Sequence, residues 1–315
     1  MASATQDELV RTLEQCPLCG CSDCPVVYEE TIKPLPAHPV LDRYKGRKMP
    51  LRRCGDCGFA FCAELPPAEY FVAYYQRPNY DWELYSKIHG KFLIHPHIVR
   101  WTTAFAPGQR VLDIGCSSGL LLQDFPPDYT RVGLELDEHA SAAARKLGLE
   151  VHQTLVSEFK TDQKFDIVTL IDVLEHLPDP QRVIEQVRDL LVDGGVFYIK
   201  VPAFLGQYHK QNLLRALKLS REGIMGAYTH INLFTKKSLR LAVERAGFET
   251  LRQGYTTAEI WRLSNARGPL DWLRKAFSNV VKVASNDGLA SFSYLTGVDI
   301  GLNHYIVARK KPTGG

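Results

Sequence analysis

Short apolar runs alternate along the chain with longer segments in which apolar residues recur every three or four positions. Runs of the first kind are typical of parallel strands that helices cover on both faces. They predict seven strands, at residues 110–114, 131–135, 150–153, 165–171, 196–202, 249–255 and 305–309. The longer segments predict helices at residues 85–105, 119–125, 138–147, 179–191 and 236–246. The alternation therefore predicts an α/β fold built on a doubly covered sheet.

A glycine turn, Gly115-Cys116-Ser117-Ser118-Gly119, follows the first predicted strand. Glycine has no Cβ, so the backbone there can come close to a ligand or adopt a positive φ angle. A dinucleotide site would have the spacing G-x-G-x-x-G, and this turn lacks the middle glycine. Asp113, inside the strand, would repel a pyrophosphate but would suit a cation. The turn therefore favours a cationic ligand over a dinucleotide.

Residues 111–122 resemble the first motif of the class I S-adenosylmethionine-dependent methyltransferases, whose methyl donor carries a sulfonium and an α-amino group. Glu135 ends the second strand, where an acidic side chain can accept hydrogen bonds from both ribose hydroxyls. Residues 172–177, Asp-Val-Leu-Glu-His-Leu, resemble the fourth motif of the same family. The resemblance is strong over residues 108–201 and looser beyond them. It implies a Rossmann-like, seven-stranded, mostly parallel sheet with helices on both faces and an antiparallel seventh strand.

The same resemblance implies which residues bind the cofactor and which act in catalysis. The cofactor-binding residues that it implies are Asp113, Gly115, Cys116, Gly119, Glu135, Leu155 and Asp172. His230, just before a helix, is the candidate general base, because histidine can remove a proton near neutral pH. His176 and Asp172 are expected near the methyl donor or the acceptor. For both histidines a purely structural role is an equal alternative.

Two C-x-x-C pairs lie in the N-terminal part of the chain, and a glycine follows each of them. Four thiolates in a tetrahedral arrangement suit Zn²⁺, so the pairs predict a structural zinc site in a small, zinc-ribbon-like module. The metal ligands predicted in this way are Cys16, Cys19, Cys54 and Cys57. Cys21 and Cys24 form a third pair that could replace the first one. Free thiols and a redox-active pair are the other interpretations.

The sequence divides into three parts. Residues 1–66 form the predicted zinc module, and residues 67–109 form an aromatic bridge that either packs this module on the main domain or covers the cofactor as a lid. The methyltransferase domain is predicted at residues 110–311, with insertions at 203–228 and 256–301. An amphipathic segment in the second insertion would permit a peripheral membrane contact or a homodimer contact, although a solvated face over a packed one is the simpler interpretation.

Composition and charge limit the binding partners and the cellular location that the sequence predicts. The chain has 315 residues and a formal net charge of +3, which gives no bulk argument for nucleic-acid binding. No apolar run reaches the ~18 residues of a transmembrane helix, and Met1 to Gln15 lack the apolar core of a secretion signal. These features predict a cytoplasmic protein, in which the cysteines are metal ligands or buried thiols rather than disulfides.

The cysteine module together with the main domain is similar to bacterial methyltransferases of sugar and secondary-metabolite pathways, including sugar C-methyltransferases. The resemblance therefore implies methyl transfer from S-adenosylmethionine to a hydroxyl or carbon of a sugar, a glycan or another small-molecule acceptor. One alternative is metal-assisted catechol O-methylation, as in ubiquinone biosynthesis, for which Asp172, Glu175 and His176 loosely match the acidic residue and the Glu-His pair. An RNA methyltransferase and a non-catalytic cofactor-binding scaffold are further alternatives.

Overall fold

The computed structural model of the chain describes residues 11–32, 38–75, 94–216, 229–256, 268–273, 275–276, 280 and 303–312. Within these residues, strands and helices are numbered separately in chain order. The strands are β1 (Arg11–Thr12), β2 (Val26–Thr31), β3 (Lys48–Arg53), β4 (Ala60–Cys62), β5 (Glu64–Leu65), β6 (Arg110–Ile114), β7 (Thr130–Leu134), β8 (Glu150–His152), β9 (Phe165–Ile171), β10 (Leu191–Pro202), β11 (Asn232–Leu233), β12 (Phe248–Tyr255) and β13 (Asn303–Lys310). The α-helices are α1 (Ala68–Tyr75), α2 (His95–Phe105), α3 (Leu120–Asp124), α4 (Glu138–Lys146), α5 (Pro180–Leu190), α6 (Phe204–Ala216) and α7 (Lys236–Arg245).

A seven-stranded sheet, in the order β12-β13-β10-β9-β6-β7-β8, forms the centre of the molecule. The five strands from β10 to β8 in that order run parallel, whereas β13 is antiparallel to both of its neighbours. The predicted fold class is confirmed, including the antiparallel last strand. All seven predicted strands are present, and apart from the start of β10 their ends shift by at most two residues.

Both faces of the sheet are buried, as the apolar runs predict. In β6, Leu112 and Ile114 belong to one hydrophobic core, together with Val168 of β9. Val111 belongs to the core on the other face, together with Ile98 of α2. None of these five side chains is more than 4% exposed. Alternate residues of the strand therefore enter different cores, which explains why its interior positions are apolar apart from Asp113, whereas Arg110 at its start is exposed.

The start of β10 differs from the prediction. The sequence predicts a helix over residues 179–191, stopped by the glycine pair Gly194-Gly195, and a strand from residue 196, but α5 ends at Leu190 and the strand begins at Leu191. Leu191 is fully buried and pairs with Phe165 of β9 before the register shifts. Burial of this leucine against the sheet starts the strand earlier than the glycine pair suggests. Residues 193–195 form an irregular part of β10, where Gly194 has a φ of 78°.

A second sheet is antiparallel and four-stranded, in the order β11-β4-β3-β2. Its edge strand β11 comes from the second half of the chain, and Asn232 of this strand pairs with Phe61 of β4. Helix α1 packs into the same core, with the Tyr70 ring edge-on to Tyr44 at a centroid distance of 5.1 Å. A strand that the sequence did not predict thus joins the cysteine-rich part to the main domain, and the predicted domain boundaries stay predictions.

Several predictions fall partly outside the described residues. The helix predicted at 85–105 is described from His95 onwards, as α2, and α6 accounts for the described half of the insertion at 203–228. Most of the amphipathic segment predicted at 270–284 lies outside the described residues. In the part of the chain that the structure describes, no helix is both long enough and apolar enough to cross a membrane.

Candidate active site

A cavity opens at the carboxyl ends of β6, β7 and β9. Open parallel sheets bind their ligands at this edge, because the loops that leave neighbouring strands meet there. Of the residues predicted for cofactor binding or catalysis, those that line the cavity are Asp113, Gly115, Cys116, Glu135, Leu155, Asp172 and His176. The structure therefore brings most of the predicted site residues into one place, although they come from four separate segments of the chain.

Asp113 is a buried carboxylic acid in the cavity lining, with 4% of its surface exposed. Its Oδ1 accepts a hydrogen bond of 2.6 Å from the hydroxyl of Thr169 in the neighbouring strand β9. Burial raises the pKa of Asp113 from 3.8 to about 7, while the bond from Thr169 acts in the opposite direction. A cation bound in the cavity would favour the charged carboxylate, so Asp113 is suited to a positively charged ligand.

Glu135, directly after β7, is held by the backbone of two loops. Its carboxylate oxygens accept hydrogen bonds from the N–H groups of Ser117 and Asp137, each 2.8 Å long. Burial raises the pKa of Glu135. Each oxygen keeps a further lone pair, which can accept a bond from a ligand hydroxyl. Asp137 itself caps α4 by accepting a hydrogen bond from the N–H of Ala140.

The two glycines of the turn have different roles. Gly115 lines the cavity with a φ of 75°, and a Cβ there would press against Val173. Gly119 has a φ of 77° at the start of α3, and a Cβ there would overlap Leu149. Gly119 lies outside the cavity lining among the described residues. Packing explains why this position is glycine, and its contact with the cofactor stays a prediction.

Asp172 and Lys200 form an ion pair at the cavity. The Nζ atom of Lys200 lies 2.8 Å from Oδ1 and 2.9 Å from Oδ2 of Asp172, whose backbone has a left-handed φ of 54°. The N–H of Asp172 also donates a 3.0 Å hydrogen bond to the carbonyl of Lys200. The Lys200 side chain is only 1% exposed. Lys200 is not among the site residues predicted from the sequence. A lysine inside the apolar run 196–202 is the signal that could have identified it.

His176 and His230 lie side by side, with ring centroids 4.8 Å apart. The Nδ1 atom of His176 lies 2.8 Å from the carbonyl oxygen of Thr229. A carbonyl can only accept a hydrogen bond, so Nδ1 carries the hydrogen and Nε2 of the neutral ring carries the lone pair. The buried Glu175 has its Oε1 3.7 Å from this Nε2. His176 lines the cavity. His230 contacts the His176 ring but is not part of the cavity lining among the described residues.

Among the residues that the structure describes, two groups could hold a metal ion, and one of them includes both histidines. Glu175, His176 and His230 each offer a ligand atom, and these atoms lie within 4.8 Å of one another. In the catechol-type alternative, the sequence suggests Asp172 as the third member of such a group. In the structure, both carboxylate oxygens of Asp172 face Lys200 instead.

Three further residues of the lining, Tyr75, Ile94 and His95, come from segments before β6. His95 begins α2, and its Nδ1 lies 2.8 Å from Oδ2 of Asp124. Burial lowers the pKa of His95. Tyr75 belongs to the predicted aromatic bridge and packs edge-on to His176, at a centroid distance of 5.4 Å. The sequence analysis did not single out His95, which is marked only by its place before a proline at a helix start.

The four cysteines predicted to bind zinc come together, with their sulfur atoms within 4.8 Å of one another. Sγ of Cys16 lies 3.6 Å from that of Cys57, and Sγ of Cys19 lies 3.4 Å from that of Cys54. Tetrahedral zinc with bonds of about 2.3 Å to sulfur requires sulfur atoms about 3.8 Å apart. The hydrogen bond between Cys16 and Cys57 lowers the pKa of Cys16 to about 5 and raises the pKa of Cys57, so the two thiols share a proton in the absence of a metal. The set fits a zinc ion.

The third cysteine pair has a different geometry. Sγ of Cys21 donates to the carbonyl of Asp23, and Sγ of Cys24 donates to the carbonyl of Cys21. Neither sulfur belongs to the group of four. The structure therefore favours the first and last pairs over the alternative that the sequence left open.

Comparisons with known proteins agree with this geometry. The family of methyltransferase domains matches residues 91–253, just over half of the chain. The ubiquinone biosynthesis O-methyltransferase of Bordetella avium is 34% identical over 130 residues, which cover 37% of this chain and 54% of that protein. The corresponding protein of Aromatoleum aromaticum is 29% identical over 185 residues, covering 54% of this chain and 77% of that protein. For the Actinobacillus pleuropneumoniae protein the covered share is 44%, so the chain spans about half the length of several of these relatives.

Among solved structures, the plantazolicin methyltransferase BpumL, in complex with a pentazolic desmethylPZN analog and SAH, has a TM-score of 0.51 and 16% sequence identity. The alignment covers 77% of this chain and 95% of that one, and at this identity the likeness concerns the fold. The family match spans the glycine turn after β6, the acidic residue after β7 and the histidine turn after β9. The chain belongs to the class I S-adenosylmethionine-dependent methyltransferases.

Proposed function

We propose that this protein transfers a methyl group from S-adenosylmethionine to a hydroxyl of a small-molecule acceptor. The observation that carries the proposal is that one cavity holds both halves of such a site. Asp113 and Glu135 lie beside the glycine turn, and His176 lies in the lining of the same cavity. Methyl transfer from a sulfonium is an in-line displacement, for which the protein must hold donor and acceptor together and exclude water.

The proposed binding of S-adenosylmethionine is supported by the acidic side chains of the cavity lining. When bound, S-adenosylmethionine supplies an electrophilic methyl group on a cationic sulfur. Asp113, whose pKa lies near 7 in the free protein, would be held in its ionised form by that cation. Glu135, oriented by the N–H groups of Ser117 and Asp137, would accept hydrogen bonds from the ribose hydroxyls. Leu155, which also lines the cavity, would contact the adenine ring.

The acceptor side rests on His176 rather than on His230. The Thr229 carbonyl fixes the hydrogen on Nδ1 of His176, which leaves the Nε2 lone pair to take a proton from the acceptor hydroxyl. The ring then becomes cationic, and the carboxylate of Glu175, 3.7 Å from Nε2, would stabilise it. His230 supports the His176 ring from the side.

The class of acceptor is proposed from the relatives. The relatives described above are named ubiquinone biosynthesis O-methyltransferases, which favours an oxygen acceptor over a carbon acceptor. A base beside the donor is also what a hydroxyl requires, because its proton must leave as the methyl group arrives. The comparisons give no specific support to the sugar or glycan acceptors that the sequence suggests, so these remain members of the panel to be tested.

A metal-assisted reaction is the second candidate. The convergence of Glu175, His176 and His230 favours it, since one carboxylate and two imidazoles can hold a divalent ion. A metal ion held there would lower the pKa of an acceptor hydroxyl. The two candidates differ in their need for a divalent metal ion at the cavity, because only the second requires one for methyl transfer.

The N-terminal cysteines are proposed to hold a structural zinc ion. Four protein ligands leave no position for a substrate, so this ion would take no part in the transfer. Lys237 at the start of α7 donates a hydrogen bond to the carbonyl of Asp56, between two of the cysteines. The zinc site would thus stabilise the segment that follows His230.

The test is methyl transfer from radiolabelled S-adenosylmethionine to a panel of catechols, phenols and nucleotide sugars, with the wild-type protein and two variants. We expect His176→Gln to lower kcat by about 10²- to 10⁴-fold without changing donor affinity, because it removes the base alone. His139→Gln, at an exposed histidine of α4, is the matched control and should keep full activity. Equal activity of the His176 variant and the control would contradict the proposal, and a loss of activity with EDTA that Mg²⁺ restores without zinc would favour the metal-assisted candidate.

A further inference from the structure

We propose that Asn232 is a positioning residue, which holds the turn bearing His176 in register with the segment bearing His230. The inference rests on the proposed function, because it concerns the geometry of the proposed base. Asn232 is 4% exposed and does not belong to the cavity lining among the described residues, so it would act through His176 and not on a substrate.

The side chain of Asn232 connects two segments far apart in the sequence. Its Nδ2 donates hydrogen bonds to the carbonyl of Leu177, at 2.6 Å, and to the carbonyl of Leu174, at 3.3 Å. These carbonyls flank the single turn of 3-10 helix that carries His176. An amide has two hydrogens on its nitrogen, and here one can be donated to each end of the turn. Both ends of the His176 turn are therefore fixed by one side chain.

The backbone of Asn232 is fixed in turn by the N-terminal sheet. Asn232 pairs with Phe61, and the N–H of Cys62 donates a 2.9 Å hydrogen bond to the carbonyl of Ile231. Both Phe61 and Cys62 are fully buried. The amide of Asn232 thus projects from a strand that cannot shift without breaking the pairing with β4. The N-terminal sheet therefore supports the His176 turn through Asn232.

A second connection depends on the first. The Nδ1–H of His176 reaches the carbonyl of Thr229, three residues before Asn232 on the same segment. This bond sets the tautomer of His176, and it persists only while the two segments keep their separation. A misplacement of about 1 Å can cost about 100-fold in rate. Removal of the Asn232 amide should therefore alter both the position of the His176 ring and the nitrogen that carries its hydrogen.

The test compares Asn232→Asp and Asn232→Ala with Thr235→Ala. The aspartate keeps the shape but cannot donate to a carbonyl, and the alanine removes the group. Thr235→Ala is the matched control, because it removes the cap of α7 three residues later without touching the histidine turn. Asn232→Ser, which keeps one donor, replaces both variants if neither folds.

The first readout is the tautomer of His176, taken from long-range proton–nitrogen NMR of its ring and assigned with His176→Gln. We expect the wild type and the control to show the hydrogen on Nδ1, and the Asn232 variants to show a mixture. The second readout is kinetic, and we expect kcat to fall by about 100-fold while the Kd for S-adenosylmethionine changes by less than about twofold. Unaltered tautomer signals, or a loss of kcat no larger than that of the control, would overturn the proposal.

The two proposals fail in different ways. If the wild type binds no S-adenosylmethionine and transfers no methyl group, the proposed function fails, while the NMR readout still decides whether Asn232 positions His176. If the wild type is active but the Asn232 variants keep the Nδ1 tautomer, the positioning role fails alone.

Discussion

Lys200 places its ammonium group 2.8 Å from one carboxylate oxygen of Asp172 and 2.9 Å from the other. The lysine is buried, and the aspartate holds a left-handed backbone conformation that few residues other than glycine adopt. The pair neutralises one of the three carboxylates in the cavity. Asp113 and Glu135 are left to determine the charge that a ligand meets.

Replacement of Lys200 by methionine should destabilise the protein. The change keeps most of the side-chain volume but leaves Asp172 beside the cavity without its cation, and removal of one partner of a buried pair costs about 3 kcal/mol or more. Urea unfolding at pH 7.5 measures the free energy of unfolding of the variant and of the wild type. The double variant Lys200→Met with Asp172→Asn is the control, because it removes both charges and should recover a large part of the loss. An undiminished free energy of unfolding in Lys200→Met would show that the pair contributes nothing.

Donor affinity should increase with pH. The free protein holds a proton on Asp113 up to a pKa of about 7, and a cationic donor would require its release. The Kd for S-adenosylmethionine should therefore fall roughly 20-fold between pH 5.5 and pH 7.5, as the ionised fraction rises. Calorimetry in two buffers of different ionisation enthalpy should also record proton release at pH 6. Asp113→Asn is the control, which should bind weakly at every pH, and a wild-type Kd independent of pH would contradict the assigned role.

The same carboxyl group should make the free protein less stable as the pH rises. The pKa of Asp113 is raised on folding, from 3.8 to about 7, so the folded state holds a proton that the unfolded state has lost. Its contribution is fully present below pH 3.8 and is lost as the pH rises through 7, a change of about 4 kcal/mol. Asp113→Asn should consequently be more stable than the wild type at pH 8. Thermal unfolding without ligand measures the difference, and a variant less stable at pH 8 would refute the assignment.

Loss of one proposed zinc ligand should release the metal. We expect Cys54→Ser to reduce the zinc content from about one ion per chain to near zero, since three thiolates and a hydroxyl form a much weaker site. Cys21→Ser is the matched control, because the Cys21 sulfur bonds to the backbone outside the group of four. Elemental analysis of the purified proteins measures the zinc content of each variant and of the wild type. A wild-type protein free of zinc, or equal loss in both variants, would contradict the site.

The sheet and the donor side of the cavity could be predicted from sequence because they depend on local patterns. Asp113 lies one residue before the end of its strand and Glu135 directly follows the next one, and neighbouring parallel strands end at the same edge. The positions of both side chains therefore follow from the strand order alone. The turn after β9 could be predicted in the same way, because the Leu-Glu-His-Leu motif begins three residues after the last residue of a strand that the apolar pattern identifies.

The supporting contacts could not be predicted, because they join distant segments. Lys200 reaches Asp172 across 28 residues through the pairing of β10 with β9. Asn232 reaches Leu177 across 55 residues, and its strand has only two residues, too few for a pattern of burial. The sequence favoured His230 as the base because it precedes a helix, whereas the structure places His176 in the cavity lining. Which histidine faces a cavity depends on these long-range contacts and not on local sequence.

The most direct measurement is a crystal structure of the protein grown with S-adenosylhomocysteine, the product of the donor. We expect the ribose hydroxyls against Glu135, the sulfur near Asp113 and the adenine ring beside Leu155, with His176 facing the position of the missing methyl group. Density for the ligand elsewhere, or a cavity that remains empty at saturating ligand, would contradict the account.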